Sequence, residues 1–271
     1  MLRNFLAAFQ ETVYVERFSS QTGLLQGIDP RIKLWCMTGF ILSAVLARTI
    51  TSFAILLLLI VILCVASQIP LKFFLVRATF FIPIFTGLIA LPLLFITPGT
   101  SVAEFLFGRV VVEITQEGIE RAVQFTFRVW VCVAFMSLLV LTTKFSRLLR
   151  AMENLRFPKV FVAMTAMTYR FIFLFINEAY RMALAKESRT VRRQKWREYL
   201  GSLGSLIATL FLRAYERGER VYLAMLARGY DGTMKTLDGM KCKRRDWIFM
   251  GFSLLTCTIV LSVGYLGLGV W

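Results

Sequence analysis

Histidine is absent from all 271 residues of the chain. This absence removes the commonest general base of enzymes and the commonest protein ligand of transition metals. There is no C-x-x-C pair among the five cysteines, which are Cys36, Cys64, Cys132, Cys242 and Cys257. Four of them lie inside apolar runs, where a thiol usually packs as a small hydrophobic group. The sequence therefore predicts neither a disulfide framework nor a metal site.

Nucleotide-binding and metalloenzyme motifs are also missing. Without a G-x-x-x-x-G-K-[ST] loop, the chain is not expected to hydrolyse ATP itself. It has no H-E-x-x-H and no aspartate-rich pair that would bind a magnesium diphosphate. Its long apolar runs contain essentially no Asp or Glu, so a solitary cation channel or proton-coupled permease would lack its usual intramembrane ligands. We therefore predict no catalytic residue and no cofactor in this chain.

What the chain does have is an apolar and strongly basic composition. Hydrophobic residues make up 58% of it, and 32 Lys and Arg face only 16 Asp and Glu. This combination is typical of a polytopic membrane protein, whose spans are apolar and whose cytoplasmic loops collect Lys and Arg. A nucleic-acid-binding protein would share the basic charge, but uncharged runs of this length argue against one.

Five uncharged runs are the candidate transmembrane segments. They cover Leu34–Ala47, Thr49–Leu71, Ala78–Ala103, Ala122–Thr143 and Trp247–Trp271, and Arg128 interrupts the fourth. The first is shorter than the ~20 residues of a full span, so we expect a helical hairpin with the second that turns near Arg48. Prolines in the third, at positions 83, 92 and 98, predict a kink or a break. Arg128 is expected to reach the nearer membrane surface or to pair internally, in preference to the alternative of a direct role in transport.

The distribution of charge predicts the topology and the domain limits. Residues 144–245 hold 22 of the 32 basic residues but only 8 of the 16 acidic ones, whereas residues 97–121 carry two Arg and four Glu. The positive-inside rule places 144–245 in the cytoplasm and 97–121 outside. We therefore predict a multi-pass protein of the cell (inner) membrane. Its membrane portion covers 1–143, with the N-terminus inside. A cytoplasmic domain follows over 144–245, and a final span covers 246–271.

Two long amphipathic helices are expected within the basic region. Val160–Ile176 and Leu200–Leu212 are apolar, but both are flanked by basic residues on each side, so we expect them to lie at the membrane surface. A sixth span remains open if Val160–Ile176 enters deeply. The second helix keeps an apolar face from Leu200 to Leu226 and reaches Gly229, a residue typical of a helix C-cap. The predicted fold is an all-α polytopic membrane protein with about five spans.

Several stretches in order resemble the transmembrane T component of energy-coupling factor transporters, in their cobalt/nickel, CbiQ-like branch. Near the N-terminus, the sequence DPRIKL (residues 29–34) resembles the D-P-R-x-K-L entry to the first span. LRFP (155–158) and YRF (169–171) resemble two further elements of the family. The most specific match is RAYER (213–217) followed by AMLARGYDG (224–232). DPRIKL alone would be a weak indication, and the ordered set is what carries the resemblance.

The resemblance implies that the two amphipathic helices are coupling helices, whose arginine-bearing ends dock into cytoplasmic ATPase subunits. Ala227, Arg228 and Gly229 match the second docking motif. Ser188, Arg189 and Thr190 match the first, although many relatives have glycine after this arginine. Arg192 or Arg193 is the alternative first contact. Further coupling or structural roles are expected for Arg170, Glu178 and Arg217.

The family further implies the partners. These are two ABC ATPase subunits that bind ATP and magnesium, and a substrate-binding (S) membrane subunit expected to hold the metal, besides the lipid bilayer. No nucleic acid is expected. The function implied is energy coupling for uptake of Co²⁺, or of Ni²⁺, with cobalt for cobalamin synthesis preferred. The alternatives are a T component that serves a vitamin-type substrate, a stand-alone secondary transporter, or a membrane enzyme or scaffold.

Overall fold

The computed structural model describes residues 23–70, 74, 81–97, 100–107, 110–155, 157–190, 195–232 and 242–266, and these are almost entirely helical. The helices are α1 (Pro30–Leu46), α2 (Ile50–Ala66), α3 (Phe81–Ile96), α4 (Gln116–Thr142), α5 (Phe145–Asn154), α6 (Lys159–Arg189), α7 (Trp196–Ala227) and α8 (Arg244–Leu266). Two strands, β1 (Ser101–Phe107) and β2 (Val110–Thr115), form an antiparallel hairpin between α3 and α4. The predicted helical class of a membrane protein is confirmed, and the hairpin is an addition that the sequence did not predict.

The chain divides into two compact units. One, which we call the inserted unit, lies within Leu148–Gly239 and contains α6 and α7. The other, which we call the membrane unit, is built from Tyr14–Arg147 together with Met240–Trp271. The inserted unit thus interrupts the membrane unit in sequence, between α4 and α8. Its limits run near those of the 144–245 region, whose cytoplasmic location stays a prediction.

Helix α4 is the centre of the membrane unit. It packs against α1, α2 and α3, while α8 packs against α1 and α2. The rings of Phe40 and Phe135 stack between α1 and α4 with centroids 5.1 Å apart, and both side chains are fully buried. The outward faces remain apolar, as shown by Leu58, which is 63% exposed. Such faces suit contact with lipid, because the bilayer is itself an apolar solvent.

The turn between α1 and α2 occupies residues 47–49, in agreement with the hairpin predicted near Arg48. Arg128, in the middle of α4, donates a hydrogen bond from Nη2 to the carbonyl oxygen of Ala47, at 3.0 Å. Ala47 is the C-cap of α1, so the guanidinium lies at the negative end of that helix dipole. Arg128 thus has a hydrogen-bond partner within the chain, at the turn between α1 and α2.

The hairpin leads directly into α4 through Thr115. The Thr115 hydroxyl accepts a hydrogen bond from the N–H of Gly118 at 3.3 Å and donates to the carbonyl oxygen of Thr97 at 2.8 Å. Threonine is a favoured N-cap because it satisfies an otherwise unpaired N–H of the first turn. Helix α4 therefore starts at Gln116, ahead of the apolar run that begins at Ala122. In α3, Pro92 lies within the helix, and Pro98 lies outside the described residues.

Length and composition make three described helices suitable for crossing a membrane, namely α4, α6 and α8. Helix α2 and the Pro83–Leu93 part of α3 are apolar but shorter, and α1 has 17 residues. Five of the described helices, α1 to α4 and α8, correspond to the five predicted runs, and five crossings stay a prediction. Because α6 is also long and apolar enough, hydropathy does not exclude a sixth crossing, and its surface location depends on the flanking charges.

Candidate coupling site

Arg228 lies at the tip of α7, in a helix end built from backbone hydrogen bonds. The N–H of Gly229 donates to the carbonyl oxygen of Leu226 at 2.9 Å, and the N–H of Tyr230 donates to that of Met225 at 3.1 Å. This pair of bonds is the Schellman arrangement, which requires a left-handed residue after the cap. Gly229 supplies it with φ of 79°. The predicted glycine C-cap is confirmed, and it fixes the direction in which the chain leaves Arg228.

The three residues of the predicted second docking motif are all solvent-exposed. Ala227, Arg228 and Gly229 form a small-arginine-small tip, and a Cβ placed on Gly229 would meet no atom within 4 Å. The long guanidinium is therefore presented without bulky neighbours on either side in sequence. Arginine in such a position offers a rigid set of donors that fits a carboxylate in a bidentate manner.

The end of α6 is constructed differently. Arg189 is the last residue of the helix and Thr190 is its C-cap, with a β-region backbone instead of a left-handed one. The hydroxyls of Ser188 and Thr190 donate back to the carbonyl oxygens of Leu184 and Lys186, at 3.0 and 2.8 Å. Ser188 and Arg189 are exposed, as a docking contact requires. Arg192 and Arg193, the alternative contacts, lie outside the described residues.

Helices α6 and α7 are linked by two charged contacts. Arg213 of α7 donates from Nη1 to Oε1 of Glu178 of α6. Nearer the end of α6, the ammonium of Lys186 lies 4.4 Å from the ring centroid of Tyr199 of α7, a cation–π contact. Glu178 thus has a structural partner on the neighbouring helix. The partner itself was missed, because pairing across 35 residues depends on how the helices align.

Arg170 and Arg217 complete the predicted set. Arg170 is exposed on α6 and Arg217 is partly exposed on α7. Neither residue joins the Glu178–Arg213 contact. The structure therefore places them on the surfaces of the two helices, and a coupling role for them stays a prediction.

An apolar cavity of about 770 Å³ lies between α6 and α7. Its walls include Met164, Met167 and Phe171 of α6 and Tyr222 and Met225 of α7. Among the described residues no group of three or more Cys, Asp or Glu side chains is positioned to hold a metal ion. Methionines in this setting act as adaptable packing groups. The cavity is therefore suited to an apolar surface.

A family model described as cobalt transport protein, CbiQ, matches residues 21–237. The chain belongs to the CbiQ family. The matched range includes the DPRIKL segment, both long helices of the inserted unit and the Arg228 tip. The chain is therefore a T component of the energy-coupling factor type in its cobalt, CbiQ-like branch, and a membrane protein of a transport family, as the sequence resemblance predicted.

Individual relatives agree with this assignment. An uncharacterised protein of Methanocaldococcus jannaschii is 34% identical over 262 residues, which cover 96% of this chain and 89% of that protein. The energy-coupling factor transporter transmembrane protein EcfT of Listeria innocua is 27% identical over 264 residues, covering 93% and 96%. A fused cobalt transport protein, CbiMQ, of Methanocorpusculum labreanum is 33% identical over 153 residues, covering 56% of this chain and 25% of that protein.

Proposed function

We propose that this CbiQ-family chain is the energy-coupling transmembrane subunit of an ATP-driven importer. It links two cytoplasmic ATPase subunits to a substrate-binding membrane subunit, and the solute is Co²⁺, with Ni²⁺ as the second choice. The observation that carries the proposal is the construction of the inserted unit. Two long helices present arginine-bearing ends and line an open apolar cavity, while none of the described residues of α7 and only Val162 of α6 are buried.

The arginine tips support the ATPase half of the proposal. Arg228 is exposed on a capped end, so an acidic groove on a partner can take its guanidinium. The 32 residues of α7 make a stiff rod of about 48 Å at 1.5 Å per residue, and movement at the tip is carried along it. Because the chain has no phosphate-binding loop, the hydrolysis belongs to the partner.

The apolar cavity supports the membrane-partner half. A surface lined by Met164, Met167 and Met225 is adaptable, and it suits a partner that presents apolar helices. The occupant we propose is the substrate-binding membrane subunit. The fused relative named CbiMQ favours this choice, because a fusion joins in one chain parts that act together.

The choice of metal rests on two further points. The family and the fused relative carry the name of cobalt transport. The chain itself contains no histidine, so a site for Co²⁺ or Ni²⁺ is assigned to the substrate-binding subunit. A T component that serves a vitamin-type substrate is the second candidate, favoured by the EcfT relative, whose name carries no metal.

The test is uptake by the complete transporter reconstituted in vesicles, with Arg228→Ala, Arg189→Ala and the control Arg220→Ala. Arg220 is also exposed on α7, where it makes only a 3.8 Å pair with Glu216 of its own helix. Loss of a buried interfacial charge contact costs about 2–5 kcal/mol, so ATP-driven uptake and ATPase co-purification should fall at least tenfold for Arg228→Ala. The control should change neither, and membrane insertion should be retained by all three variants.

Two outcomes would contradict the proposal. Equal activity of Arg228→Ala and the control would remove the docking role of the tip. Uptake by the purified chain in vesicles without an ATPase would identify a stand-alone transporter instead. Replacing Co²⁺ with Ni²⁺ or with a vitamin in the same assay then decides the solute.

A further inference from the structure

One turn at the start of α1 contacts the ends of two other helices of the membrane unit. This turn is the DPRIK segment, residues 29–33, to which the docking of the arginine tips assigns no role. Asp29 is 7% exposed and Lys33 is 1% exposed, although both are charged residue types. Burial of such groups is unfavourable unless they are hydrogen-bonded. Their partners therefore indicate what the segment does.

Lys33 binds the end of α4. Its Nζ donates to the carbonyl oxygen of Thr142 at 3.2 Å, to the Thr142 hydroxyl at 3.4 Å and to the Thr143 hydroxyl at 3.0 Å. Thr142 is the last residue of α4 and Thr143 is its C-cap. A cation is favoured there, because the carbonyl oxygens at a helix C-terminus lack partners within the helix.

Asp29 is joined to the start of α8. The carboxylate of Asp246 accepts the N–H of Asp29 at 3.1 Å and the N–H of Lys243 at 2.7 Å, and Asp246 is 1% exposed. The carboxylate of Asp29 in turn accepts the N–H of Arg31 at 3.0 Å. Both carboxylates thus lie at helix N-termini, where a negative charge is favoured. One buried carboxylate holds the first turns of α1 and α8 together.

These two helix ends are where the chain leaves the membrane unit and where it returns. The membrane unit ends at Arg147, four residues after Thr143, and it resumes at Met240, three residues before Lys243. Apolar residues of similar volume would pack these sites at least as stably as buried charges do. What apolar packing lacks is directional contact, and Asp29 and Lys33 supply it at both connections.

We propose that Asp29 and Lys33 are positioning residues for energy coupling. They fasten both connections of the inserted unit to α1, so that force on α6 and α7 is delivered to the membrane helices instead of being lost in loose connections. The proposal rests on the proposed function, because it concerns how the coupling stroke is passed on. It assigns a role to the DPRIK segment that is distinct from docking.

The test uses the hydroxyls that Lys33 binds. Thr142→Val with Thr143→Val removes both hydroxyl acceptors at nearly unchanged shape and leaves only the carbonyl oxygen of Thr142, whereas Thr142→Ser with Thr143→Ser keeps both hydroxyls. Thr126→Val is the control on the same helix, because its hydroxyl bonds only to the carbonyl oxygen of Ala122, one turn back. Lys33→Met is the stronger variant. Each is reconstituted as the complete transporter, and metal uptake and ATP hydrolysis are measured together.

The ratio of metal taken up to ATP hydrolysed separates positioning from folding. For the double valine variant we expect hydrolysis within about twofold of wild type and a ratio lowered about tenfold, since bonds to a charged donor are among the stronger ones. The serine variant and Thr126→Val should keep the wild-type ratio. If Lys33→Met fails to insert into the membrane, the comparison of the double valine variant with the double serine variant tests the proposal.

An unchanged ratio in the valine variant would overturn the inference. So would a parallel loss of hydrolysis and uptake, which would assign the hydroxyls to folding alone, or a serine variant that fails as the valine variant does. Failure of the proposed function looks different, because the wild-type transporter itself would then show no ATP-driven uptake.

Discussion

The two units of this molecule differ in how far their side chains find contacts within the chain. In the membrane unit, buried polar residues such as Lys33 and Asp246 find partners within the chain, and α4 alone buries eight residues. In the inserted unit, α7 has 32 residues and buries none, and Phe211 is 69% exposed. Lipid accounts for the outward faces of the first unit. The second displays its apolar surface on α6 and α7, and the flanking charges predict that these helices lie outside the bilayer core.

This difference indicates which unit is complete by itself. The contacts between α6 and α7 include an exposed ion pair, Glu178–Arg213, and a cation–π contact, Lys186–Tyr199, and exposed contacts of this kind add little stability. Large exposed apolar patches generally mark surfaces that another molecule covers. On the proposed function, the inserted unit carries the interfaces with the partner subunits.

The sharpest test of this comparison is one substitution made in each unit, Phe135→Ala and Phe211→Ala. Phe135 is fully buried and stacked on Phe40, so its truncation should cost about 3–5 kcal/mol of unfolding free energy. Phe211 is exposed, and its truncation should stay within about 0.5 kcal/mol in the isolated chain. Denaturation of the purified chain in detergent measures both effects.

In assembly of the complete transporter, Phe211→Ala should have the larger effect of the two variants. Phe211→Ala should weaken recovery of the complete transporter, while the folded fraction of Phe135→Ala should assemble normally. If both variants lost the same stability in the isolated chain, the contrast between the units would be wrong. If Phe211→Ala assembled as well as wild type, its face of α7 would not be an interface.

Much of this arrangement was predictable because it follows from local patterns. Uncharged runs gave the helices of the membrane unit, the periodicity around Leu200–Leu226 gave α7, and Gly229 gave its cap. Each of these patterns reflects chemistry within a few residues of the position concerned. The arginine of the α7 tip could likewise be proposed from the sequence, since the helix end itself is a local feature.

What escaped prediction depends on contacts between distant segments. The Asp29–Asp246 contact spans 217 residues and the Lys33–Thr143 contact spans 110, and no local pattern specifies such pairings. The β1–β2 hairpin was also missed, because its apolar first strand continues the run that ends at Ala103. Thr115, an N-cap before an acidic first turn, was the signal that a helix begins at Gln116.

Replacing either of two glycines of the inserted unit with alanine should change helix stability by a smaller amount, and the two changes should have opposite signs. Gly229→Ala places a Cβ on a left-handed residue and should destabilise the helix end by roughly 1–2 kcal/mol. Gly201→Ala, within α7 and with no atom near the new Cβ, should stabilise the helix by up to about 1 kcal/mol. Hydrogen exchange of the Tyr230 amide, which donates to Met225, reports on the first change. Similar exchange in both variants would mean that the cap does not hold the tip.

The smallest expected effect concerns Cys242, at the point where the chain returns to the membrane unit. Its exposed thiol lies 3.8 Å from Oδ2 of Asp29. Desolvation, followed by the nearby Asp29 and Asp246 carboxylates, raises the pKa of this thiol, against the opposing effect of Arg31. Alkylation proceeds through the thiolate, so labelling of Cys242 should be slow near neutral pH and should accelerate as the pH rises.

Asp29→Asn removes one of the negative charges and lowers the thiol pKa, so labelling at pH 7.5 should become roughly threefold faster. Peptide mapping after a timed reaction separates Cys242 from the other four cysteines, which lie in the membrane helices. Glu216→Gln, an equal change of charge on exposed α7, is the matched control and should leave the rate unchanged. A rate that responds to neither substitution would mean that Cys242 does not lie beside Asp29, and the contact between the starts of α1 and α8 would lose its independent support.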